Sequence, residues 1–521
     1  MSTIKGIAFE MLLYILVTLR KYVDIFIDMV FSFVWEKQKQ ALPELDARHN
    51  ILLESAVSLA AKIRNKELKS EDLVKTCIER IKIVNPILNA VTDTRYNEAL
   101  AEARQIDEQI TVGLSEEYFR EKPFLGVPFT TKESHAVQGL HQTMGLSSRA
   151  HLRAPEDAEG VALLRRAGAI PLAVTNVPEV NKWQETRNLV FGQTNNPYHC
   201  GRTVGGSSGG EAALAAAIAT PISLCSDIGG STRMPAFYCG LYALNPTAGH
   251  TSVKGLCFRT GLAPTMASIG FVSRHVEDLA PLTRVVAGDK AADLGLEKRL
   301  PVKEINFYYT EECQDMRVSP ICRDLRDAMK RSSTTTAGPT QYYHEGFNHM
   351  FALWKHGMTL EAEVFGQVLT NKTGEAKAVV ELPKKLVGLS NYTLASILKL
   401  MDDQVLPAVD KEWAEKLTNE LKEDLVSKLG SNGVLLFPSA PFPAPYHYAL
   451  YLRPFSFAYW AVFNALHLPA AQVPLGLNSE GIPIGIQVVA GPKQEGLCLS
   501  VAEYLGKQFG GCPPPCKIAR E

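Results

Sequence analysis

Two glycine-rich serine sites lie close together in residues 204–235, and both could serve acyl-transfer chemistry. The first reads GGSSGG at 205–210 and contains Ser207, and the second reads DIGGSTR at 227–233 and contains Ser231. Glycine lets the backbone turn with positive φ and approach another group closely, because it has no Cβ. Such turns can aim hydroxyl and N–H groups into one shared space. A serine nucleophile with an oxyanion hole needs that arrangement.

The GGSSGG segment by itself has two other common interpretations. Sequences of this kind form flexible linkers, and glycine-rich loops before a helix can bind phosphate. Residues 212–219 disfavour a linker, because they are alanine-rich and apolar and predict a short helix packed closely against its neighbours. No Gly-Lys-Ser/Thr closes the loop, which disfavours a phosphate site. The pattern therefore favours catalysis.

The same residues resemble the signature of the amidase signature family, serine hydrolases that cleave carboxamides with a Ser-Ser-Lys triad. The resemblance covers most of the chain after about residue 50, from PFLGVP at 123–128 to PIGIQ at 483–487. Within that family, the overall similarity is to the second type of fatty-acid amide hydrolase. The central matches are residues 206–210, Asp227, residues 229–231, Arg233 and Pro235, with Lys132 and Glu133 upstream.

The resemblance implies a catalytic role for three side chains, Lys132, Ser207 and Ser231. Neutral Lys132 would take a proton from Ser207, which in turn would take the proton of Ser231. Ser231 would attack the amide carbonyl and form a covalent acyl-enzyme. No cofactor is expected.

The backbone around the second serine would stabilise the oxyanion. Its expected donors are the N–H groups of Ile228, Gly229, Gly230 and Ser231. The resemblance also implies a cis peptide bond between Gly206 and Ser207.

A lysine is usually a solvated surface charge. Here the apolar residues 124–131 predict a buried strand that ends at Lys132 and carries it inward. Loss of hydration disfavours the ammonium form, so we expect the pKa of Lys132 to fall toward neutrality.

Three positions depart from the family pattern. Cys225 stands where glycine or alanine is usual, Thr232 where an aliphatic residue follows the nucleophile, and Asn245 where a lysine commonly precedes the proline. These departures bear on substrate-pocket shape and turnover, and they leave the reaction class unchanged.

Alternating helices and strands predict an α/β fold. The resemblance specifies it as the amidase signature fold, a large mixed β-sheet flanked by helices, with a hydrophobic helix at the amino terminus. We expect the catalytic domain to span residues 50–521, including a variable insertion at about 332–430.

The first forty residues predict a membrane-associating helix over residues 1–40. Residues 7–35 are strongly apolar but contain Glu10, Arg20, Lys21, Asp24 and Asp28, and the charge-free run 11–19 is too short to cross a bilayer. These five charges fall within roughly one third of a helical wheel. The pattern suits a helix in the membrane interface or a tilted span whose stripe faces another protein. An amphipathic helix packed on the enzyme's own core is the third interpretation.

Residues 383–401 are a second candidate membrane contact, because Leu394, Ile397, Leu398 and Met401 share one helical face. An ordinary core helix is the alternative. We therefore expect an enzyme on an intracellular membrane or a lipid droplet, with a lipophilic amide as substrate and a homodimer as one possible assembly.

Composition excludes several classes of function. The formal net charge of −1 gives no electrostatic basis for binding nucleic acid. The ten cysteines are scattered, and His344 and His349 are five residues apart, so they would lie on different faces of a helix. We expect no metal site.

Fatty-acid amides, such as primary fatty amides and N-acylethanolamines, are the expected substrates. Two alternatives are the glutamine-hydrolysing subunit of a tRNA amidotransferase and a catalytically inactive scaffold on a membrane surface.

Overall fold

The computed structural model describes residues 2–313, 315, 317–334 and 338–519, and it describes side chains from residue 16 onwards except at residue 334. The α-helices are Ser2–Trp35 (α1), Ala56–Arg64 (α2), Ser70–Leu88 (α3), Tyr96–Val112 (α4), Glu116–Glu121 (α5), Glu159–Arg166 (α6), Gly209–Ala216 (α7), Arg233–Tyr238 (α8), Leu279–Ala287 (α9), Arg323–Thr334 (α10), Met350–Thr359 (α11), Phe365–Leu369 (α12), Ala378–Leu386 (α13), Leu394–Gln404 (α14), Lys411–Leu429 (α15), Ala458–Ala465 (α16) and Glu495–Phe509 (α17). The strands are Val91–Thr94 (β1), Pro128–Lys132 (β2), Ile170–Thr175 (β3), Arg187–Asn188 (β4), Gly192–Gln193 (β5), Asn195–Asn196 (β6), His199–Thr203 (β7), Ile222–Asp227 (β8), Tyr242–Asn245 (β9), Ser268–Ser273 (β10), Asn306–Tyr309 (β11), Thr340–Gln341 (β12), Gly433–Pro438 (β13), Ala470–Leu477 (β14) and Pro483–Ala490 (β15).

One mixed sheet of eleven strands forms the centre of the described chain, in the order β1-β3-β2-β8-β10-β9-β14-β15-β13-β11-β12. Strand β2 runs parallel to β3 and β8, whereas β10, β9, β14 and β15 pair in antiparallel fashion. Every residue of β2, β3, β8 and β15 is buried, so helices cover both faces of this part of the sheet. The predicted α/β fold with a large mixed sheet is confirmed.

The glycine-serine segment begins α7, which packs directly beneath the sheet. All eight residues of Gly209–Ala216 are buried, and small side chains permit this close approach. A Cβ on Gly210 would lie 2.7 Å from the Asn176 nitrogen. The predicted short helix is confirmed, although it starts earlier than residues 212–219.

Two predicted elements have different boundaries in the structure. The strand expected over residues 124–131 begins only at Pro128, because the chain turns at Gly126 with φ +80°. The single helix expected over residues 383–401 is two helices, α13 and α14, separated by a turn at Gly388 with φ +75°.

The predicted apolar face of residues 383–401 lies inside the enzyme. Ile397 is buried, and Leu398 and Met401 line an internal cavity. This face therefore lies partly on the cavity, and its contact with a membrane stays a prediction.

The amino-terminal helix is present, and it packs on the enzyme through its polar stripe. Arg20, Asp24 and Asp28 recur every four residues on one face, and all three contact residues of the catalytic body. Glu10 lies outside the described side chains. Among the described residues, no helix is long and apolar enough to cross a membrane.

The opposite face of α1 is exposed and apolar. Its exposed large side chains are Leu16, Leu19, Tyr22, Val23, Ile25, Phe26, Met29, Val30, Phe33 and Val34.

Candidate active site

Lys132 is the last residue of β2, and the sheet places its side chain in the interior. Its side chain is only 1% exposed. The Nζ atom lies 2.8 Å from Ser207 Oγ and 3.1 Å from Ser226 Oγ, and it donates a hydrogen bond to each when protonated. A neutral amine could accept the Ser207 proton across the same 2.8 Å. The geometry therefore suits a general base.

Burial lowers the pKa of Lys132 to about 8, because a buried ammonium group loses its hydration. The carboxylates of Asp227 and Glu211 oppose this shift. Their effect is limited, because Asp227 is paired with Arg233 and burial raises the pKa of Glu211 itself to about 8. A substantial fraction of Lys132 is thus neutral near physiological pH, as the sequence predicted.

Ser207 and Ser231 approach each other from the two glycine-rich turns. The Ser208 N–H donates to the Ser231 carbonyl over 3.1 Å, which ties the turns together. The peptide bond between Gly206 and Ser207 is cis, as expected. Ser231 is partly exposed to a cavity that Ser207 also lines. Among the described residues, the Ser231 hydroxyl makes no hydrogen bond, so the structure shows the first link of the predicted relay and leaves the second a prediction.

The Asp227 carboxylate fixes the turn that carries Ser231. It accepts hydrogen bonds from the Gly230 N–H at 2.7 Å and the Thr232 N–H at 3.1 Å, and it pairs with the Arg233 guanidinium at 3.1 Å. Both side chains of the ion pair are fully buried. Burial by itself would raise the pKa of Asp227, but the charge and hydrogen bonds of Arg233 outweigh it and hold the pKa below its ordinary value.

Arg233 is itself anchored by three further residues. Its guanidinium donates to Gln487 Oε1 at 2.8 Å, to Asn464 Oδ1 at 2.6 Å and to the Trp460 carbonyl at 3.1 Å. The turn is therefore attached to β15 and α16.

The four predicted oxyanion donors are not equivalent. The Gly230 N–H is already engaged by Asp227. The N–H groups of Ile228, Gly229 and Ser231 have no acceptor among the described residues. These three remain candidate donors, and Gly230 instead shapes the turn, with φ +103° and a Cβ position only 2.5 Å from the Trp460 Cβ.

Two cavities meet at Ser231. One, of about 300 Å³, is lined largely by apolar and aromatic side chains, including Phe351, Trp354, Met401 and Phe457. The other, of about 580 Å³, contains Ser207 and Ser226 and a network of charged groups such as the pair Arg259–Glu361 at 2.8 Å. Ser231 thus lies where a small, almost wholly apolar cavity meets a larger one that adds charged groups to a mostly apolar lining.

Comparison with known proteins identifies the family of the chain. The amidase family profile matches residues 72–499. The chain belongs to the amidase family. This amidase is 39% identical to fatty-acid amide hydrolase 2 of Homo sapiens over 482 residues, which cover 89% of this chain and 91% of the human protein. It is an enzyme that hydrolyses amide bonds.

More distant relatives share the amidase fold. A glutamyl-tRNA(Gln) amidotransferase polypeptide of Oleidesulfovibrio alaskensis is 29% identical over 502 residues, covering 89% of this chain and 99% of that polypeptide. The solved structure of a fatty acid amide hydrolase matches with a TM-score of 0.69 at 20% identity, over 89% of this chain and 86% of that one. This structural likeness concerns the fold alone.

The three departures from the family pattern are not among the residues that line the two cavities. Cys225, Thr232 and Asn245 are buried, and none of them lines either compartment. Their effect on substrate-pocket shape and turnover stays a prediction.

Sequence reasoning missed two residues of the site. Ser226 supplies a second hydroxyl to Lys132, and its only sequence signal is its place before Asp227 at the end of a strand. Trp354 Nε1 donates to the Ile228 carbonyl at 2.8 Å and holds the candidate oxyanion turn. Nothing in the local pattern of residues 332–430 indicates this contact.

We expect kcat/KM of the amidase to rise with pH and to level off above about 8, because only neutral Lys132 can accept a proton. Initial rates over a range of amide concentrations at each pH would measure this profile. Ser226→Ala removes an acceptor that favours the ammonium form, so the inflection should move to lower pH.

An inflection that stays in place in Ser226→Ala would assign the titration to another group, such as Glu211. A rate that falls as the pH rises through 8 would contradict the role of Lys132 as base.

Proposed function

We propose that this amidase hydrolyses long-chain fatty amides to a fatty acid and an amine through Lys132, Ser207 and Ser231. The observation that carries the proposal is the apolar cavity of about 300 Å³ that ends at Ser231, beside a buried lysine in contact with Ser207. The similarity to fatty-acid amide hydrolase 2 of Homo sapiens supports the same substrate class.

Acylation begins when neutral Lys132 accepts the proton of Ser207 as Ser207 accepts the proton of Ser231. The Ser231 oxygen attacks the amide carbonyl, and the carbonyl π electrons move onto oxygen. The Ser207–Ser231 contact tightens when substrate binds, as catalytic hydrogen bonds in unliganded enzymes often do.

The negative charge on that oxygen is stabilised by hydrogen bonds from the N–H groups of Ile228, Gly229 and Ser231. Loss of one such donor typically costs about 100–1000-fold in rate. Trp354 and Asp227 hold the turn from either side, so these donors need not reorganise during the reaction.

Collapse of the tetrahedral intermediate breaks the carbon–nitrogen bond. The proton taken up by Lys132 returns through Ser207 to the leaving nitrogen, because an amine anion cannot leave unassisted. Water then attacks the acyl-enzyme with the same relay as base, which releases the fatty acid and restores Ser231.

The two compartments suit the two halves of a fatty amide. Transfer of an acyl chain from water into the aromatic cavity is favourable by about 25 cal/mol for each Å² of apolar surface that it buries. The amine side would occupy the larger cavity, beside Ser207 and the charged groups that line it. Primary fatty amides and N-acylethanolamines both fit this division.

Covalent labelling tests the nucleophile. We expect a fluorophosphonate probe to label the wild-type protein and to leave Ser231→Ala unlabelled, because the probe phosphonylates an activated serine oxygen. Ser147→Ala, at a surface 3₁₀ turn, is the matched control and should be labelled fully. A folded wild-type protein that takes no label would favour the inactive scaffold.

A substrate panel tests the acyl compartment. Met401→Trp should fill part of the apolar cavity, raising KM for octadecanamide roughly tenfold while butanamide hydrolysis is unchanged, since short chains need little of the cavity. Leu386→Trp, on the exposed face of α13, is the matched control. Preference for glutamine over every fatty amide would point instead to a glutaminase of the tRNA amidotransferase type.

The exposed face of α1 supports a further proposal, association with a lipid bilayer surface. Arg20, Asp24 and Asp28 of this helix contact the enzyme, and the exposed apolar side chains lie on the opposite face. A helix of this kind would insert its apolar face into the headgroup and acyl boundary. A lipophilic substrate is concentrated in the same place.

Vesicle co-sedimentation tests the bilayer proposal. The wild-type protein should pellet with phosphatidylcholine vesicles, and Tyr22→Ser/Phe26→Ser/Phe33→Ser should remain in the supernatant, because it removes most of the exposed aromatic surface of α1. Val112→Ser/Leu262→Ser, two exposed apolar residues elsewhere, is the matched control. Equal sedimentation of all three proteins, or a wild-type dimer that the α1 variant dissociates, would overturn the proposal.

A further inference from the structure

Arg453 joins α1 to the catalytic body. Its side chain is fully buried. Its guanidinium donates to the Asp24 carbonyl at 2.6 Å, and it pairs with the Asp24 carboxylate at 3.2 Å and the Asp28 carboxylate at 2.8 Å. Within the described part of the chain, these two carboxylates are its ion-pair partners, and both belong to α1. The positive charge of Arg453 is thus balanced from a single helix.

The carboxyl end of α1 contacts the same region. The Trp35 ring stacks on Tyr448 with centroids 5.5 Å apart, and its edge meets His447 at 5.2 Å. Glu36, directly after α1, accepts a hydrogen bond from the Tyr446 hydroxyl at 2.6 Å. Residues 446–457, called the wall segment below, therefore lie along the inner side of α1.

The other side of the wall segment lines the apolar cavity. Tyr451, Pro454, Phe455 and Phe457 all contribute to the cavity wall. The Phe457 ring meets Trp354 at 4.7 Å, and Trp354 holds the Ile228 carbonyl. The wall segment is thus one residue layer between α1 and the compartment that ends at Ser231.

Arg453, which contacts α1, is bonded directly to Pro454, which lines the cavity. Its neighbour Pro454 lines the cavity and is held by Gln184, whose Nε2 donates to the Pro454 carbonyl at 2.7 Å. A buried guanidinium that loses its counter-ions is an uncompensated charge, which is strongly destabilising. We expect Arg453 to shift toward water or new partners and to displace Pro454 with it. Movement of Arg453 therefore moves the wall.

We infer that α1 positions the wall of the acyl compartment through the Arg453–Asp24–Asp28 cluster, so that Arg453 is a positioning residue for long-chain specificity. This inference rests on the proposed function, since it assigns the apolar cavity to the acyl chain. The helix that we propose to lie on lipid then also contributes to the choice of acyl chain.

Kinetics in detergent micelles test the inference without any contribution from membrane binding. Asp24→Asn/Asp28→Asn leaves Arg453 without its counter-ions, so KM for octadecanamide should rise about tenfold while kcat and KM for butanamide stay unchanged. Adding Arg453→Met removes the uncompensated charge and should restore KM for octadecanamide to within about twofold. Lys21→Gln removes a charge from the same helix and should change neither substrate.

Fluorophosphonate labelling measures the fraction of active sites in each preparation. If the double variant does not fold, Asp28→Asn alone, at a half-exposed position, replaces it in the test. It should also raise KM for octadecanamide, by a smaller factor. Equal losses on both substrates, an unchanged KM for octadecanamide, or no recovery with Arg453→Met would overturn the inference. A wild-type protein that takes the label but prefers short amides would overturn the proposed substrate instead.

Discussion

Burial of the Lys132 amine, which lowers its pKa to about 8, is the constraint on which the rest of the site depends. A lysine at the end of a fully buried strand cannot keep its hydration, and hydroxyl groups replace water only in part. The structure places Ser207 and Ser226 within 3.1 Å of Lys132 Nζ, and among the described residues Lys132 forms no salt bridge. The same parallel pairing of β2 with β8 that buries the lysine brings Ser226 to it.

A second buried charge, that of Asp227, is compensated by fixed partners. Asp227 stays ionised because Arg233 and two backbone N–H groups compensate its lost hydration. This pair orients the turn that carries Ser231, whereas Lys132 is the group that we propose exchanges a proton. The site therefore separates a fixed charge that sets geometry from a titrating group that can perform chemistry.

The amino-terminal helix reverses the usual arrangement of a surface helix. Its charges point into the enzyme, where Arg453 and its neighbours pair them, and its apolar residues point out. The exposed apolar face of α1 suits an apolar environment. It also makes α1 an integral part of the catalytic body, because Trp35, Asp24 and Asp28 each contact the segment that lines the apolar cavity.

The sequence by itself determined the elements whose information is local. Glycines at 205–210 and 229–230 require turns, the apolar run before Lys132 requires burial, and alternating periodicities require an α/β sheet. From these, the contact of Lys132 with Ser207 and the cis bond before Ser207 could be predicted with the help of the family resemblance. The helix over α1 could be predicted as well, although its orientation could not.

Only the tertiary structure decided which groups meet across long stretches of chain. Trp354 reaches Ile228 from 126 residues away, and Arg453 reaches Asp24 from 429 residues away. Periodicity shows that residues 383–401 and α1 each have an apolar face, but the partner decides whether that face points inward, as in α14, or outward, as in α1. The physical reason is that a side chain's environment is set by the surfaces packed against it, and those surfaces come from distant parts of the sequence.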